Sequence, residues 1–189
     1  MSEPSLTEPG PLSTAKSTLG TDLGLLILRV VLGVIFIGKG AEKLFGAFGG
    51  PGLEGFARQL DAPGDSGWGF HGPTMLLSWV SGLTEFGGGV LILLGLFTPL
   101  GAAALLGMAI NLLVLKWGAP LLPNPGRNIA VDVMQASMIL AVLFAGSGRF
   151  AVDSTFGLGR RLQRDPVRYG LAGFALAVVV ATGVLVIFR

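Results

Sequence analysis

Cysteine is absent from this chain of 189 residues, and histidine occurs once, at His71. Without thiols the protein has no disulfide, thiolate metal site or iron–sulfur cluster of its own. One imidazole cannot hold a bis-histidine haem or a multi-histidine metal, so most cytochrome and oxidase functions are excluded for the chain acting alone. Charge is scarce too: Asp, Glu, Lys and Arg make up 13% of the residues, and the formal net charge is +2. No basic run is interleaved with aromatics, which removes the usual footprint of a nucleic-acid binder. No stretch shows the polar–apolar alternation of a membrane β-barrel.

Apolar residues are abundant, at 51%, with 31 glycines and a mean hydropathy of +0.73. That balance belongs to an integral membrane protein. Apolar segments recur at 22–46, 74–97, 99–117, 128–146 and 168–188. Each is near the ~20 residues that a helix needs to cross the hydrocarbon layer. The expected fold is an all-α polytopic bundle of five spans.

Residues 1–21 are rich in Ser, Thr, Pro and Gly and are expected to form a disordered tail. The first apolar run lacks a strongly basic lead and a small-x-small cleavage pattern, so it reads as an uncleaved span. Between the first two spans, Leu53, Phe56 and Leu60 share one helical face and Glu54, Arg58 and Asp61 the other. This predicts a short interfacial helix within a loop at 47–73, with Trp68, Phe70 and His71 at headgroup level. The link at Thr98-Pro99 allows only a tight antiparallel return.

Lysine and arginine set an expected orientation. With the amino terminus in the cytoplasm, Lys16, Arg149, Arg160, Arg161, Arg164 and Arg168 fall on the cytoplasmic side. The loop at 47–73 and the carboxyl terminus then face outside.

The most informative residues are the polar ones inside the spans. At 100° per residue, Arg29, Gly33, Phe36, Gly40 and Lys43 form one stripe on the first span. The second span gathers Ser78, Ser81, Glu85, Gly88, Gly89 and Ile92 on one side; the third aligns Ala104, Gly107 and Asn111; the fourth places Asp132 and Gln135 together. Counted inward at ~1.5 Å per residue, Glu85, Asn111 and Gln135 reach a common level near the midplane, and Arg29 comes out about 8 Å shallower. Isolated charges in lipid are costly, so they are expected to pair: Arg29 with Glu85, and Lys39 or Lys43 with Asp132. Two readings follow. The plain one is interhelical glue that fixes register. The sharper one is a polar pocket in an apolar cavity, fit for the head of a lipid-soluble substrate such as a quinone. In that reading Glu85 is the proton acceptor, and Arg29, Lys39, Lys43, Asn111, Asp132 and Gln135 are binding residues. No residue set suggests a metal, and His71 reads as an ordinary loop residue.

The segments RVVLGVIFIGKGAEKLFG, TEFGGGVLILLGLFTPLGAAALLGMAI and GSGRFAVDSTFG together resemble the DoxX family, over residues 22–158. The resemblance implies a four-helix bundle in the bacterial cytoplasmic membrane, here followed by a basic linker and an extra span at 159–189 that could serve as a docking helix. It also implies association with redox enzymes, since relatives include a subunit of a thiosulfate:quinone oxidoreductase and a membrane partner of superoxide dismutase and a sulfurtransferase. Arg29, Gly40, Lys43, Glu85, Gly88, Thr98 and Asp153 match the family pattern by position. Lys39 stands where histidine is frequent, and Asp132 where glutamate is common. The expected function is an accessory subunit of a quinone-linked membrane redox assembly, with no bound cofactor and no activity on its own. The alternatives are a small transporter for a hydrophobic or acidic solute, and a structural or assembly protein.

Overall fold

The structure is a computed structural model and describes residues 19–63, 67–121, 129–155 and 165–188. Among the described residues there are six α-helices and no strand: α1 (Leu19–Phe45), α2 (Gly52–Asp61), α3 (Thr74–Leu94), α4 (Thr98–Leu115), α5 (Ala130–Ala145) and α6 (Pro166–Phe188). Four of them, α1, α3, α4 and α6, are long and apolar enough to cross a membrane. With 16 residues, α5 is the short member. At ~1.5 Å per residue it runs about 24 Å, less than the hydrocarbon thickness. The tail at 1–18 and the arginines at 160, 161 and 164 lie outside the described residues.

Glycine brings α1 and α3 together. A Cβ on Gly33 would meet Leu93 Cβ at 2.6 Å, and one on Gly89 would meet the Ile37 backbone nitrogen at 2.8 Å. Farther along, Gly40 lies against the backbone of Phe86, and Gly82 receives the Leu44 side chain. Each pair of glycines is spaced by seven, so both fall on one face and the backbones interlock. The stripe expected on α1 is buried at Arg29, Gly33, Phe36 and Gly40, and the face expected on α3 is buried from Ser78 to Ile92.

The helix α4 stands differently from its sequence pattern. Of the aligned residues Ala104, Gly107 and Asn111, Gly107 is buried near Ala177 of the last span, whereas Ala104 is exposed, and Ala102, Ala103, Leu105, Leu106 and Ala109 are buried as well. The reason is position: α4 packs against α3, α5 and α6, so it is covered around most of its circumference. Such a helix carries little amphipathic signal to read. The apolar core is Leu32, Phe36, Ile92, Leu105, Leu106, Ile139 and Leu143 with their neighbours.

The α3–α4 turn is a Schellman ending: Gly95 is left-handed, its N–H donates to Ile92 O, and Leu96 N–H donates to Leu91 O. Asp153, far along the chain, then accepts from Phe97 N at 2.9 Å and Thr98 N at 3.2 Å and caps α4. The last span, α6, lies on α4 and α5 through Gly170, Gly173, Ala177 and Ala181. Its other side, including Val179 and Val186, is exposed.

Candidate functional site

A cavity of about 390 Å³ occupies the half of the bundle where α1 and α4 end and α3 and α5 begin. Its walls come from every helix. Phe36, Lys39 and Lys43 project from α1, Phe56 and Leu60 from α2, Ser81 and Glu85 from α3, Asn111 from α4 and Lys116 from the cap that follows it, Asp132 and Gln135 from α5, and Val184 from α6. The amphipathic helix α2 has Ala57 and Leu60 buried and Glu54, Arg58 and Asp61 exposed, as its spacing predicts. Ser78 Oγ donates to Leu53 O at 2.9 Å and ties α2 across α3.

The polar side chains form three cross-helix links. Lys43 bonds to Glu85 Oε2, joining α1 to α3. Lys39 Nζ donates to Gln135 Oε1 at 2.8 Å, joining α1 to α5. Lys116 Nζ donates to Asp132 Oδ2 at 2.6 Å, joining α4 to α5. Two of the ammonium groups also face aromatic rings, Lys39 over Phe36 at 5.4 Å and Lys43 over Phe56 at 4.9 Å. Pairing and ring contact are what make charge tolerable in this setting. Ser81 Oγ and Asn111 Oδ1 are buried with no hydrogen-bond partner among the described residues. No cluster of three or more metal-binding side chains occurs among the described residues.

Six of the seven expected site residues, Lys39, Lys43, Glu85, Asn111, Asp132 and Gln135, thus line one cavity. The pairing differs from expectation. Arg29 does not reach Glu85, and Asp132 takes Lys116 in place of Lys39 or Lys43. Helix register explains the first. The Gly33–Gly89, Gly40–Phe86 and Leu44–Gly82 contacts set Lys43 beside Glu85 and carry Arg29 past the end of α3 to Gly95.

Arg29 serves the opposite end of the bundle. Its Nη1 donates to Ser147 O and its Nη2 to Phe150 O at 3.0 Å. Asp22 accepts from Arg149 N at 3.1 Å nearby. The segment 146–155 is strapped in this way to α1, and its Asp153 caps α4. The positions Arg29, Thr98 and Asp153 therefore belong to one structural knot, away from the cavity.

Sequence reasoning missed Lys116 as a pairing residue, since a lysine near a span end beside Trp117 reads as a snorkelling cation. It also placed Trp68 and Phe70 at the membrane surface. Both line the cavity, and Phe70 is 4% exposed. The signal for Phe70 was the apolar face of α2, which needs a covering partner: Phe70 N–H donates to Leu60 O at 2.8 Å.

The family model described as DoxX matches residues 24–116, which run from α1 to the end of α4. No curated protein and no solved structure matches the chain.

Proposed function

We propose that this chain, whose residues 24–116 match the family model described as DoxX, is an accessory subunit of a quinone-linked redox assembly, in which the cavity receives the head of a lipid-soluble carrier. The observation that supports this reading is the makeup of the cavity. Aromatic and aliphatic walls from α1, α2 and the 67–70 segment surround a small set of polar side chains, Lys39, Lys43, Glu85, Asn111, Asp132 and Gln135. This is the form of a small-molecule site, apolar for affinity and sparsely polar for orientation. Its volume of about 390 Å³ lies within the ~300–1,000 Å³ of ordinary ligand pockets.

In this reading Glu85 is the proton acceptor, with Lys43 holding its carboxylate in place, and Lys39 donates to a ring oxygen of the carrier. Asn111, Asp132 and Gln135 fix the polar floor. Electrons released as Glu85 takes the proton pass from the carrier to a redox centre of the partner enzyme. In the bacterial cytoplasmic membrane, with the amino terminus in the cytoplasm, the cavity opens toward the outer leaflet.

A continuous solute path fits less well. Beyond the cavity, Leu32, Ile92, Leu105, Ile139 and Leu143 are each 0% exposed and fill the bundle, and the Arg29 knot closes the far end. The test is gentle detergent extraction followed by mass spectrometry of bound lipid and of co-purifying proteins, with a photoreactive quinone as a second probe. Bound quinone and labelling on α1, α3 or α4 that is lost in Glu85→Gln support the reading. An empty cavity, no labelling and no redox protein alongside refute it, and leave a structural role in which Glu85→Gln changes stability alone.

A further inference from the structure

Three ammonium groups line the cavity, and they are not held alike. Lys43 bonds to the Glu85 carboxylate and Lys116 to that of Asp132, so each of these charges meets one of opposite sign. Among the described residues, Lys39 Nζ bonds only to a neutral oxygen, Gln135 Oε1, and lies over the ring of Phe36. The other charges that act on Lys39 are Glu85 and Asp132 of one sign and Lys43 and Lys116 of the other, and these four are already matched two by two. Glu42 also borders the cavity, yet its carboxylate makes no hydrogen bond or ion pair among the described residues. Lys39 is therefore a surplus cation in an apolar bundle, a position that is costly without a counter-charge.

Donors on the same wall also lack partners. A lysine can only donate, so Gln135 meets Lys39 with its oxygen and keeps its NH2 for another acceptor. That NH2 and the Trp68 indole N–H have no hydrogen bond among the described residues, and the Lys39 ammonium has hydrogens to spare. A head that only accepts and carries one negative charge answers all three. A carboxylate is such a head, and its two oxygens take charge-assisted hydrogen bonds. A phosphate monoester brings nearly two charges, more than the single surplus. Phe36, Phe56, Leu60, Phe70 and Leu112 make the rest of the wall apolar, which favours a carboxylate borne on a hydrocarbon chain over a small hydrated one.

We propose that the cavity binds the carboxylate head of a fatty acid, with Lys39 as its counter-ion and Gln135 and Trp68 as further donors. The ligand is held as its anion, and no bond is made or broken. Lys43 and Lys116 keep their own carboxylates. This uses the cavity of the carrier reading without its redox chemistry and adds a second class of ligand, which competes with the carrier for Lys39.

The test is equilibrium binding of dodecanoate, methyl dodecanoate and dodecylammonium to the purified full-length protein in phosphatidylcholine nanodiscs, with protein-free nanodiscs correcting for partition into lipid. The ester keeps the chain and a carbonyl but has no charge. A charge-assisted hydrogen bond is worth roughly ten- to a hundredfold in affinity, so dodecanoate is expected to bind that much tighter than the ester. Lys39→Met should abolish the preference, and Lys39→Arg, which keeps the charge, should retain it. Melting curves on the same samples separate a lost site from a lost fold. Glu42→Gln should bind dodecanoate at least as tightly as the wild type. Equal binding of acid and ester by the wild type, tighter binding of the ammonium, or an intact preference in Lys39→Met overturns the inference. Decylubiquinone binding measured in parallel tests the carrier reading separately, so either can fail alone.

Discussion

Replacing Gly40 by alanine tests the packing that positions the cavity. A Cβ at Gly40 would lie 2.6 Å from Phe86 Cβ and 2.7 Å from Phe86 Cα, whereas one at Gly38 meets nothing within 4 Å. Comfortable carbon contacts are about 3.5–4.0 Å, so the two backbones must separate by roughly 1 Å to admit the methyl. Overpacking of this kind costs about 1–3 kcal/mol. Alanine also gains about 0.8–1 kcal/mol over glycine in helix propensity, but both variants share that gain, so their difference isolates the clash. For a chain of this size each kcal/mol moves the melting temperature by about 2–4 °C, which puts Gly40→Ala roughly 2–12 °C below Gly38→Ala. The three tryptophans allow this to be read by intrinsic fluorescence on heating in detergent. The displacement also pulls Lys43, one turn onward, from Glu85, so Gly40→Ala should weaken carrier binding where Gly38→Ala does not. Equal melting temperatures for the two variants would refute the interlocked α1–α3 contact and the register built on it.

Removing one member of the Lys43–Glu85 pair strands the other inside the bundle. Lys43→Met and Glu85→Leu should each destabilise by about 3–5 kcal/mol, and the double variant by much less. A double-mutant cycle on unfolding midpoints checks this, and additive losses would mean that the two charges do not interact. Asp153→Ala takes the acceptor from two backbone N–H groups of α4 and should cost about 1–2 kcal/mol, with Asp153→Asn intermediate because it keeps one acceptor oxygen. Equal thermal stability of the wild type and Asp153→Ala would count against the cap. Arg29→Met frees the carbonyls of Ser147 and Phe150, so limited proteolysis should cut near 146–155 faster than in the wild type. Carrier binding should change less in this variant than in Lys39→Met, since Arg29 lies outside the cavity. The reverse order would return Arg29 to the site.

The contributions of sequence and tertiary structure separate at particular residues. Hydropathy alone gives a helical membrane bundle, because lipid offers a backbone no partner and an apolar run must satisfy its own hydrogen bonds. Periodicity alone gives the inward faces of α1, α3 and α5, since burial there is one-sided and leaves a stripe at 3.6 residues per turn. It also brings six of the seven polar candidates to one region, because paired charge inside apolar spans has few places to go. The sequence does not say which charge meets which. That depends on how far antiparallel helices slide along each other, and a shift of one turn moves a side chain by about 5.4 Å, enough to exchange partners. Glycine against Phe86 and Leu93 fixes that slide for α1 and α3, gives Glu85 to Lys43 and sends Arg29 to the far end to hold the strap over α4, while the packing of α4 on α5 gives Asp132 to Lys116. Nor could the pattern of α4 reveal its central place, since a helix covered by three neighbours has no wet face to contrast with a dry one.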